Sequence, residues 1–285
     1  MLFQQITILI LITKSIIFIL LFYIEFLLER NKISLNDKIS VIIPTYNRGK
    51  SIIQSINSVL EQTYHNLEIL IVDDCSTDDT EYLISKIDDP RVKYIKLKEN
   101  KGASFARNIG IKIATGKYIT FQDSDDLYKA NKIEKQYINL IKKNSDFDFC
   151  KICLHLNNSL KVIFPRQYQQ RSIAKKKIIE ELCNGNFVST QSILVKNTVI
   201  KNNLFDIDFP RLQDYDLALR IIPNYKVSYT KEVLVDLYRK KDSIGSNLTK
   251  LIKSFYLLSI FQQKFVIPNI NLIYLNFIQI ILYLT

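Results

Sequence analysis

Cysteine, glycine, histidine and tryptophan are scarce in this chain of 285 residues, which has four cysteines, two histidines and no tryptophan. Four cysteines are too few to hold a chain of this length together by disulfides, and they fit a reducing compartment. Cys150 and Cys153 have the spacing of a zinc knuckle, but no second pair of Cys or His ligands lies nearby and the surrounding run is apolar. We therefore interpret both as core residues.

Two further absences argue against particular functions. His65 and His155 are the only histidines, and neither belongs to a motif that suggests catalysis, so we interpret both as bystanders. No Gly-x-Gly-x-x-Gly motif opens the first predicted helix, which argues against a dinucleotide-binding dehydrogenase. A nucleotidyltransferase is disfavoured as well, because no glycine-rich, lysine-bearing phosphate loop follows the first strand.

Acidic residues are outnumbered, since 39 lysines and arginines against 28 aspartates and glutamates give a net charge of +11. Such a charge suits an anionic partner, either a lipid surface or a polyphosphate. A composition rich in Ile, Lys and Asn, with the lysines scattered over solvated faces, explains it equally well. The lysine runs at residues 142–143 and 175–177 have no interleaved aromatic residues, so no nucleic-acid partner is expected.

A long apolar run lies near the N-terminus of the chain. Residues 6–28 are almost continuously apolar, and a membrane span needs about 20 such residues. Lys14 near the middle opposes insertion, so a surface-lying helix is an alternative, as is a later translation start. Basic residues after the run would keep the following domain cytoplasmic. We therefore predict a membrane-associated segment at residues 1–30.

The C-terminal end is also apolar and is predicted to be helical over residues 250–285. Four amides interrupt its final part, namely Asn269, Asn271, Asn276 and Gln279. They favour an amphipathic packing helix over a membrane span.

Between these ends, β-branched runs alternate with segments of helical periodicity. Strands are predicted at residues 39–43, 67–72, 92–97, 117–121 and 187–195, and helices at 51–62, 77–86, 102–114, 178–182 and 214–222. This alternation over short loops predicts an α/β fold with a Rossmann-like, mostly parallel central sheet and flanking helices, plus terminal hydrophobic helices.

An acidic cluster follows the fourth predicted strand. Asp123, Asp125 and Asp126 place three carboxylates within four residues, and such neighbours repel one another unless they meet water, donors or a metal. Hard oxygen ligands favour Mg²⁺ or Mn²⁺, which is often held together with substrate phosphates. The cluster therefore suggests a site for a metal-chelated diphosphate. The alternative is a solvated acidic turn or a helix cap.

Polar residues also follow the first and second strands, at Pro44-Thr45-Tyr46 and at Asp73-Asp74. Because ligands of open parallel sheets bind at the carboxyl ends of the strands, these loops and the acidic cluster are predicted to converge. A response-regulator receiver would also have acids after a strand. It would not explain a further acid at Asp214.

Six motifs in this order resemble the signature of family 2 glycosyltransferases of the GT-A fold. They are Val41-Ile-Ile-Pro-Thr-Tyr-Asn47, Ser58-Val-Leu-Glu-Gln-Thr-Tyr64, Ile71-Val-Asp-Asp-Cys-Ser-Thr-Asp78, Gly102-Ala-Ser-Phe-Ala-Arg-Asn-Ile-Gly110, Phe121-Gln-Asp-Ser-Asp-Asp126 and Pro210-Arg-Leu-Gln-Asp-Tyr-Asp-Leu217. The resemblance covers residues 38–222 and implies transfer of a sugar, of hexosyl or N-acetylhexosaminyl type, from a nucleotide diphosphate sugar. The donor is usually a UDP-sugar, and the anomeric carbon is inverted.

The resemblance assigns Pro44, Thr45 and Tyr46 to the nucleotide, with Asp74 accepting a hydrogen bond from the uracil N–H. A tyrosine ring can stack on a base. Packing is an equally good interpretation of Tyr46, and Asp73 has an alternative role as a cap of the next helix.

Arg107 lies in the third predicted helix, where its guanidinium could reach the diphosphate, and a structural ion pair with the acidic strand ends is the alternative. The resemblance implies that Asp123 and Asp125 form an Asp-x-Asp element that holds Mn²⁺ or Mg²⁺ and touches the donor, and Asp126 is predicted to share the metal. The metal would neutralise charge on the departing diphosphate.

Asp214 matches the position of the catalytic base in the sixth motif, which takes the proton of the acceptor hydroxyl. Asp216 is the alternative base, and either residue is also explained as an acid at a helix N-terminus. Two departures from the family pattern are Gln213, where many relatives carry Glu, and Cys75, where Gly is usual.

The resemblance divides the domain into a nucleotide-sugar-binding half at residues 38–140 and an acceptor-binding half at residues 141–240. The expected acceptor is a glycan or a lipid-linked molecule at a membrane surface, in the synthesis of a surface polysaccharide or lipooligosaccharide. A catalytically inactive membrane-associated protein that binds nucleotide sugars is the alternative.

Overall fold

The computed structural model describes residues 36–156, 161–165, 175–184 and 186–238. The apolar segments predicted at residues 1–30 and 250–285 lie outside these ranges, so their helices and their membrane association stay predictions. No helix within the described ranges is both long enough and apolar enough to cross a bilayer.

The described strands form one sheet with the order β3-β2-β1-β4-β8-β6-β9-β5, and β7 pairs with β6 outside this path. The strands are β1 Ile39–Thr45, β2 Leu67–Asp73, β3 Val92–Lys96, β4 Tyr118–Phe121, β5 Leu127–Tyr128, β6 Phe147–His155, β7 Lys161–Phe164, β8 Ile193–Lys196 and β9 Val227–Tyr238.

Helices flank the sheet. They are α1 Ile52–Leu60, α2 Thr80–Ile84, α3 Ala103–Ile113, α4 Lys132–Lys142, α5 Lys175–Asn184, α6 Asn197–Lys201 and α7 Gln213–Ile221, and a 3₁₀ turn covers Thr190–Ser192.

The first half of the sheet is parallel, because β1 pairs in parallel with both β2 and β4, and β2 pairs in parallel with β3. Every residue of β1 and β2 is buried, as expected for strands covered on both faces. α3 packs closely on β1 at Gly110, where a Cβ atom would lie 2.5 Å from Cγ2 of Ile42. This close approach sets the position of Arg107, one turn earlier on α3.

The second half of the sheet is mixed. β8 runs antiparallel to β4 and β6, whereas β6 and β9 are parallel. The sheet therefore continues without a break from the predicted nucleotide half into the predicted acceptor half. The predicted α/β fold with a mostly parallel sheet and flanking helices is confirmed.

Two local predictions were wrong. β1 continues through Pro44 to Thr45, whereas the strand was predicted to end at residue 43, before this proline. Proline is tolerated there because β4 pairs only as far as Ile42, so Pro44 has a neighbouring strand on one side only. The strand predicted at residues 187–195 is a 3₁₀ turn followed by the short strand β8, and the turn brings Gln191 to the site described next.

Candidate active site

A cavity of about 560 Å³ opens at the carboxyl ends of β1, β2 and β4. It is lined by Pro44, Thr45, Tyr46, Asn47, Arg48, Asp74, Asn100, Gly102, Ala103, Arg107, Asp123, Ser124 and Asp125. The three loops predicted to converge therefore contribute to the same cavity.

The loop after β1 forms one side of the cavity. Thr45 is buried, and its Oγ1 has no hydrogen-bond partner among the described residues. Tyr46 is 45% exposed and lines the cavity, so its ring is accessible to a planar ligand group. The loop offers a polar group inside the cavity and an aromatic ring at its edge.

Asp74 joins the first and second loops to the start of α3. Its two carboxylate oxygens accept hydrogen bonds from the backbone N–H groups of Lys101 at 2.8 Å and Gly102 at 2.6 Å. Its own N–H donates to the carbonyl of Thr45 at 2.8 Å. Asp74 is almost fully buried, so it fixes the floor of the cavity and leaves only its remaining lone pairs to a ligand.

Asp73 has a purely structural environment. Its Oδ1 accepts hydrogen bonds from the N–H and the hydroxyl of Ser76, at 2.8 and 2.6 Å, and its Oδ2 accepts one from the Tyr94 hydroxyl at 2.5 Å. The residue holds the turn after β2 and does not line the cavity.

Arg107 lines the cavity although its side chain is only 7% exposed. Nη2 donates to Oδ1 of Asp123 at 2.7 Å, and the guanidinium carbon lies 5.5 Å from the ring centre of Phe205. Nε is buried and has no partner among the described residues. The structure is therefore compatible with both interpretations of Arg107. It forms an ion pair with Asp123, and its Nε remains available to a diphosphate.

The acidic loop after β4 brings Asp123, Ser124 and Asp125 to the cavity wall. Asp123 also accepts a hydrogen bond at Oδ2 from the Gln191 side chain at 2.5 Å. Asp125 lies 3.6 Å from the guanidinium of Arg48, and both side chains are partly exposed, so this ion pair contributes little to stability.

Asp126 is not among the residues that line the cavity, and its predicted share in a metal site stays a prediction. Its Oδ1 accepts a hydrogen bond from the N–H of Tyr238 at 3.0 Å, and its Oδ2 accepts one from Gln191 at 2.7 Å. Burial raises the pKa of Asp126 well above its ordinary value, and the nearby charge of Asp123 raises it further. The structure thus uses Asp126 to anchor the loop.

Asp214 lies in the first turn of α7, after Leu212 in the left-handed conformation at a φ of 60°. Its Oδ1 accepts hydrogen bonds from the Asn186 side chain at 3.0 Å and from the N–H of Tyr215 at 2.8 Å. Burial raises the pKa of Asp214 to about 6, while the charge of Arg107 lowers it and that of Asp123 raises it. Arg107 and Asp123 line the cavity, so Asp214 is within reach of two charges of the cavity wall, although it is not part of the lining.

Asp216, the alternative base, is 1% exposed and is paired with Arg220, whose Nη2 lies 2.6 Å from its Oδ2. Both carboxylate oxygens of Asp216 accept from this guanidinium. The ion pair joins successive turns of α7, so the structure gives Asp216 a role within the helix.

A family model described as glycosyl transferase family 2 matches residues 40–201, more than half of the chain. The chain belongs to glycosyltransferase family 2. The matched range contains β1, β2 and β4 together with the acidic loop, so the residues that define the cavity are those of a glycosyltransferase.

Individual proteins agree with this assignment. The chain is 33% identical over 219 residues to WfgD of Escherichia coli, and the aligned residues cover 75% of this chain and 82% of WfgD. WfgD is described as a UDP-Glc:alpha-D-GlcNAc-diphosphoundecaprenol beta-1,3-glucosyltransferase. S. aureus TarS 1-349, solved in complex with UDP-GlcNAc, matches 81% of this chain and 74% of its own with a TM-score of 0.62 at 20% identity. The mannosyltransferase PcManGT of Pyrobaculum calidifontis, in complex with GDP-Man and Mn²⁺, matches 78% of this chain and 64% of its own with a TM-score of 0.57 at 18% identity. These structural likenesses show the GT-A fold.

Gln191 is a residue of the glycosyltransferase site that the sequence did not reveal. Its side-chain amide donates to both Asp123 and Asp126, and the residue is 5% exposed. The only sequence signal is the polar run Ser189-Thr-Gln-Ser192, which interrupts an apolar segment. Because the prediction relied on apolar periodicity, it assigned this run to a strand.

Several cavity-lining residues were also missed, although each lies next to a predicted site residue or near the start of α3. They are Asn47, Arg48, Asn100, Gly102, Ala103 and Ser124. A sequence motif identifies residue types that suit a ligand, whereas backbone and small side chains line a cavity only because of their position.

Proposed function

We propose that this glycosyltransferase moves a sugar from a UDP-sugar to the hydroxyl group of a glycan or lipid-linked acceptor, with metal assistance and with inversion at the anomeric carbon. One observation carries the proposal. Asp74, Arg107 and the carboxylates of Asp123 and Asp125 line a single cavity, and the charges of Arg107 and Asp123 act on Asp214.

The nucleotide binds against the loop after β1. The exposed ring of Tyr46 stacks on the base, and the remaining lone pairs of Asp74 accept from the imide N–H of uracil. Oγ1 of Thr45 has no partner among the described residues, so it is available to a polar group of the nucleotide. The UDP-sugar in the names of WfgD and of the TarS complex supports a uridine nucleotide.

The diphosphate binds between Arg107 and the start of α3. The buried Nε of Arg107 is a donor without a partner among the described residues, and a phosphate oxygen would satisfy it. Gly102 and Ala103, at the N-terminus of α3, line the same cavity, and the partial positive charge of a helix N-terminus favours an anion.

Asp123 and Asp125 would hold the divalent metal. The fit is chemical, because both side chains offer hard carboxylate oxygens on the wall of one cavity, which is the donor type that Mn²⁺ and Mg²⁺ prefer. When bound, the metal acts as a Lewis acid that neutralises charge on the leaving diphosphate. Arg107 orients Asp123 for this role, and Gln191 holds its other oxygen.

Asp214 is the general base. None of the described residues donates to its Oδ2, so this oxygen can accept the proton of the acceptor hydroxyl as the hydroxyl oxygen attacks C1 of the sugar. With a pKa of about 6 the carboxylate is mostly ionised at neutral pH and is more basic than an ordinary aspartate. A base on the face opposite the leaving group is what an inverting displacement requires.

Two observations bear on the acceptor. WfgD is named for an acceptor that carries a diphosphoundecaprenol, and the net charge of +11 suits an anionic lipid surface. We therefore propose that the protein is membrane-associated, with its catalytic domain in the cytoplasm, and that it extends a lipid-linked glycan in surface polysaccharide or lipooligosaccharide synthesis.

A donor screen tests the proposal. Purified protein is incubated with Mn²⁺, a lipid-linked N-acetylglucosaminyl diphosphate and each of several UDP-sugars, and UDP release and the mass of the product are measured. Asp125→Asn should abolish turnover while UDP still binds. Absence of turnover in the wild type with every donor and acceptor, combined with tight UDP binding, would instead indicate an inactive nucleotide-sugar-binding protein.

A further inference from the structure

Outside the active site, three side chains of different chemistry meet on the second half of the sheet. Cys153 and His155 are two residues apart on β6 and therefore lie on the same face of the strand. β9 runs beside β6, and its Asp236 is the register partner of Cys153. The thiol, the imidazole and the carboxylate are thus brought together by strand pairing between distant parts of the sequence.

The ligand atoms of Cys153, His155 and Asp236 all lie within 4.8 Å of one another. Nε2 of His155 is 2.9 Å from Oδ1 of Asp236. In a tetrahedral zinc site, nitrogen and oxygen ligands about 2.1 Å from the metal are about 3.4 Å apart. Nε2 of His155 and Oδ1 of Asp236 therefore need to separate by only about half an ångström to receive a metal.

The surroundings hold these ligands in place. The ring of His155 stacks on Tyr238 with ring centres 4.6 Å apart, which fixes the direction of Nε2. Cys153 is a free thiol with 9% of its surface exposed, and the His155 and Asp236 side chains are 16% and 11% exposed. Water would compete little with a metal for these ligands, because the three side chains are already largely shielded from solvent.

Lys129 is the existing counter-charge of Asp236, since its Nζ lies 2.5 Å from Oδ2. Lys129 contacts the oxygen that faces away from His155. A metal at Oδ1 therefore leaves this ion pair in place.

We propose that Cys153, His155 and Asp236 bind a zinc-type divalent cation, with a fourth position open to water or to a small ligand. Sulfur and imidazole ligands favour Zn²⁺ and Co²⁺ over the Mn²⁺ and Mg²⁺ that suit an all-oxygen site. The cation would bind Nε2 of the neutral imidazole, whose ring proton then lies on Nδ1, and would displace the thiol proton of Cys153 to solvent, so binding releases that proton.

This zinc site would tie β6 to β9 next to the acidic loop of the active site. Asp236 is the register partner of Leu127, which directly follows Asp126 in the chain. Two residues further along β9, the N–H of Tyr238 donates to Asp126. Occupancy of the zinc site would stabilise the strand that anchors Asp126, and the site remains distinct from the oxygen ligands at Asp123 and Asp125.

Cobalt spectroscopy on the purified full-length chain tests the proposal. The protein is stripped with a chelator and titrated with Co²⁺ in excess Mg²⁺, which occupies sites made only of oxygen ligands. We expect a thiolate-to-cobalt charge-transfer band in the near ultraviolet that saturates at one equivalent, disappears when Zn²⁺ is added and is accompanied by a rise in melting temperature. The band requires a sulfur ligand, so metal bound by Asp123 and Asp125 does not produce it.

Matched variants assign the band to residues. Cys153→Ser should abolish it, and His155→Gln and Asp236→Asn should each weaken cobalt affinity by about tenfold or more. Cys75→Ser and His65→Gln are the controls, since they remove a cysteine and a histidine outside the cluster and should change nothing. If Cys153→Ser unfolds, the His155 and Asp236 variants decide the question.

Absence of the band, its persistence in Cys153→Ser, or an unchanged affinity in His155→Gln would overturn the proposal. The measurement uses no donor, acceptor or turnover. Its outcome is therefore independent of the proposed sugar transfer.

Discussion

Nη2 of Arg107 donates a hydrogen bond to Oδ1 of Asp123 at 2.7 Å, and the pair joins α3 to the loop that follows β4. Because Gln191 holds the other oxygen of Asp123, the carboxylate is oriented from two sides. The guanidinium keeps one buried donor, Nε, without a partner among the described residues. The same contact therefore stabilises the acidic loop and positions a charge for the diphosphate.

Asp214→Asn should lower the turnover rate by about 10²- to 10⁴-fold, since the amide keeps the shape of the side chain but cannot accept the acceptor proton. Steady-state UDP release with donor and acceptor measures this, and UDP affinity should stay near that of the wild type. Asp216→Asn is the matched comparison, because it breaks the ion pair with Arg220 and should lower stability more than turnover. The opposite result would make Asp216 the base.

The rate should depend on the ionisation of Asp214. Its folded-state pKa is raised to about 6, so kcat/KM should be constant above that pH and fall about tenfold for each unit below it, as the base becomes protonated. Arg107→Met should move this inflection to higher pH, because the charge of Arg107 lowers the pKa of Asp214. A pH profile of UDP release tests both statements, and an inflection that does not move would separate Arg107 from the base.

Gln191 should be needed for a stable acidic loop. Gln191→Leu removes the donor to Asp123 and Asp126 and should lower the free energy of unfolding by about 1–3 kcal/mol. Gln191→Glu should cost more at about pH 8, because it adds a third carboxylate, and its deficit should shrink at about pH 5 as carboxyl groups in the cluster become protonated. Denaturant unfolding at both pH values measures this. Equal deficits at the two pH values would contradict the contact.

Cys75 has a φ of 70°, in the left-handed region that favours glycine. This explains why glycine is usual at the position, and it predicts that Cys75→Gly raises the free energy of unfolding by about 1 kcal/mol. Cys75→Ala is the control, since it removes the thiol but keeps the Cβ atom that causes the strain. If alanine stabilises as much as glycine, backbone strain is not the reason.

Lys132 is fully buried, with Nζ 2.5 Å from Oγ1 of Thr120 and 4.1 Å from the ring centre of Tyr128. Burial lowers its pKa to about 7. Between this value and the ordinary pKa of 10.5 the unfolded chain binds one proton more than the folded chain, so stability rises with pH by about 1.4 kcal/mol per unit.

Lys132→Met should remove this pH dependence. The free energy of unfolding of the wild type relative to Lys132→Met should therefore increase from about pH 7 to about pH 9, because stability that the lysine loses as pH falls is restored as pH rises. Lys142→Met, on the exposed face of the same helix, should show no such change. If the difference in free energy of unfolding between the wild type and Lys132→Met is the same at about pH 7 and about pH 9, Lys132 is charged in the folded protein.

The strands and helices from Ile39 to Phe121 were predictable because each carries its own signal. β1 and β2 are short apolar runs, and α3 follows a glycine and repeats its apolar residues at helical spacing. The second half was less predictable. β6 and β9 were not identified, since their residues alternate irregularly and their pairing includes register shifts near Lys151.

The sequence by itself determined the family, the parallel half of the sheet and the residue types at the strand ends, because strand ends in a parallel sheet meet at one edge whatever the remaining chain does. Only the tertiary structure decided which of these side chains face the cavity. Asp125 lines it, whereas Asp126, the next residue, is buried under Gln191 and Tyr238. Tertiary packing likewise joined Cys153 and His155 to Asp236, because contacts between residues more than 80 positions apart depend on strand order and register, which no local pattern encodes.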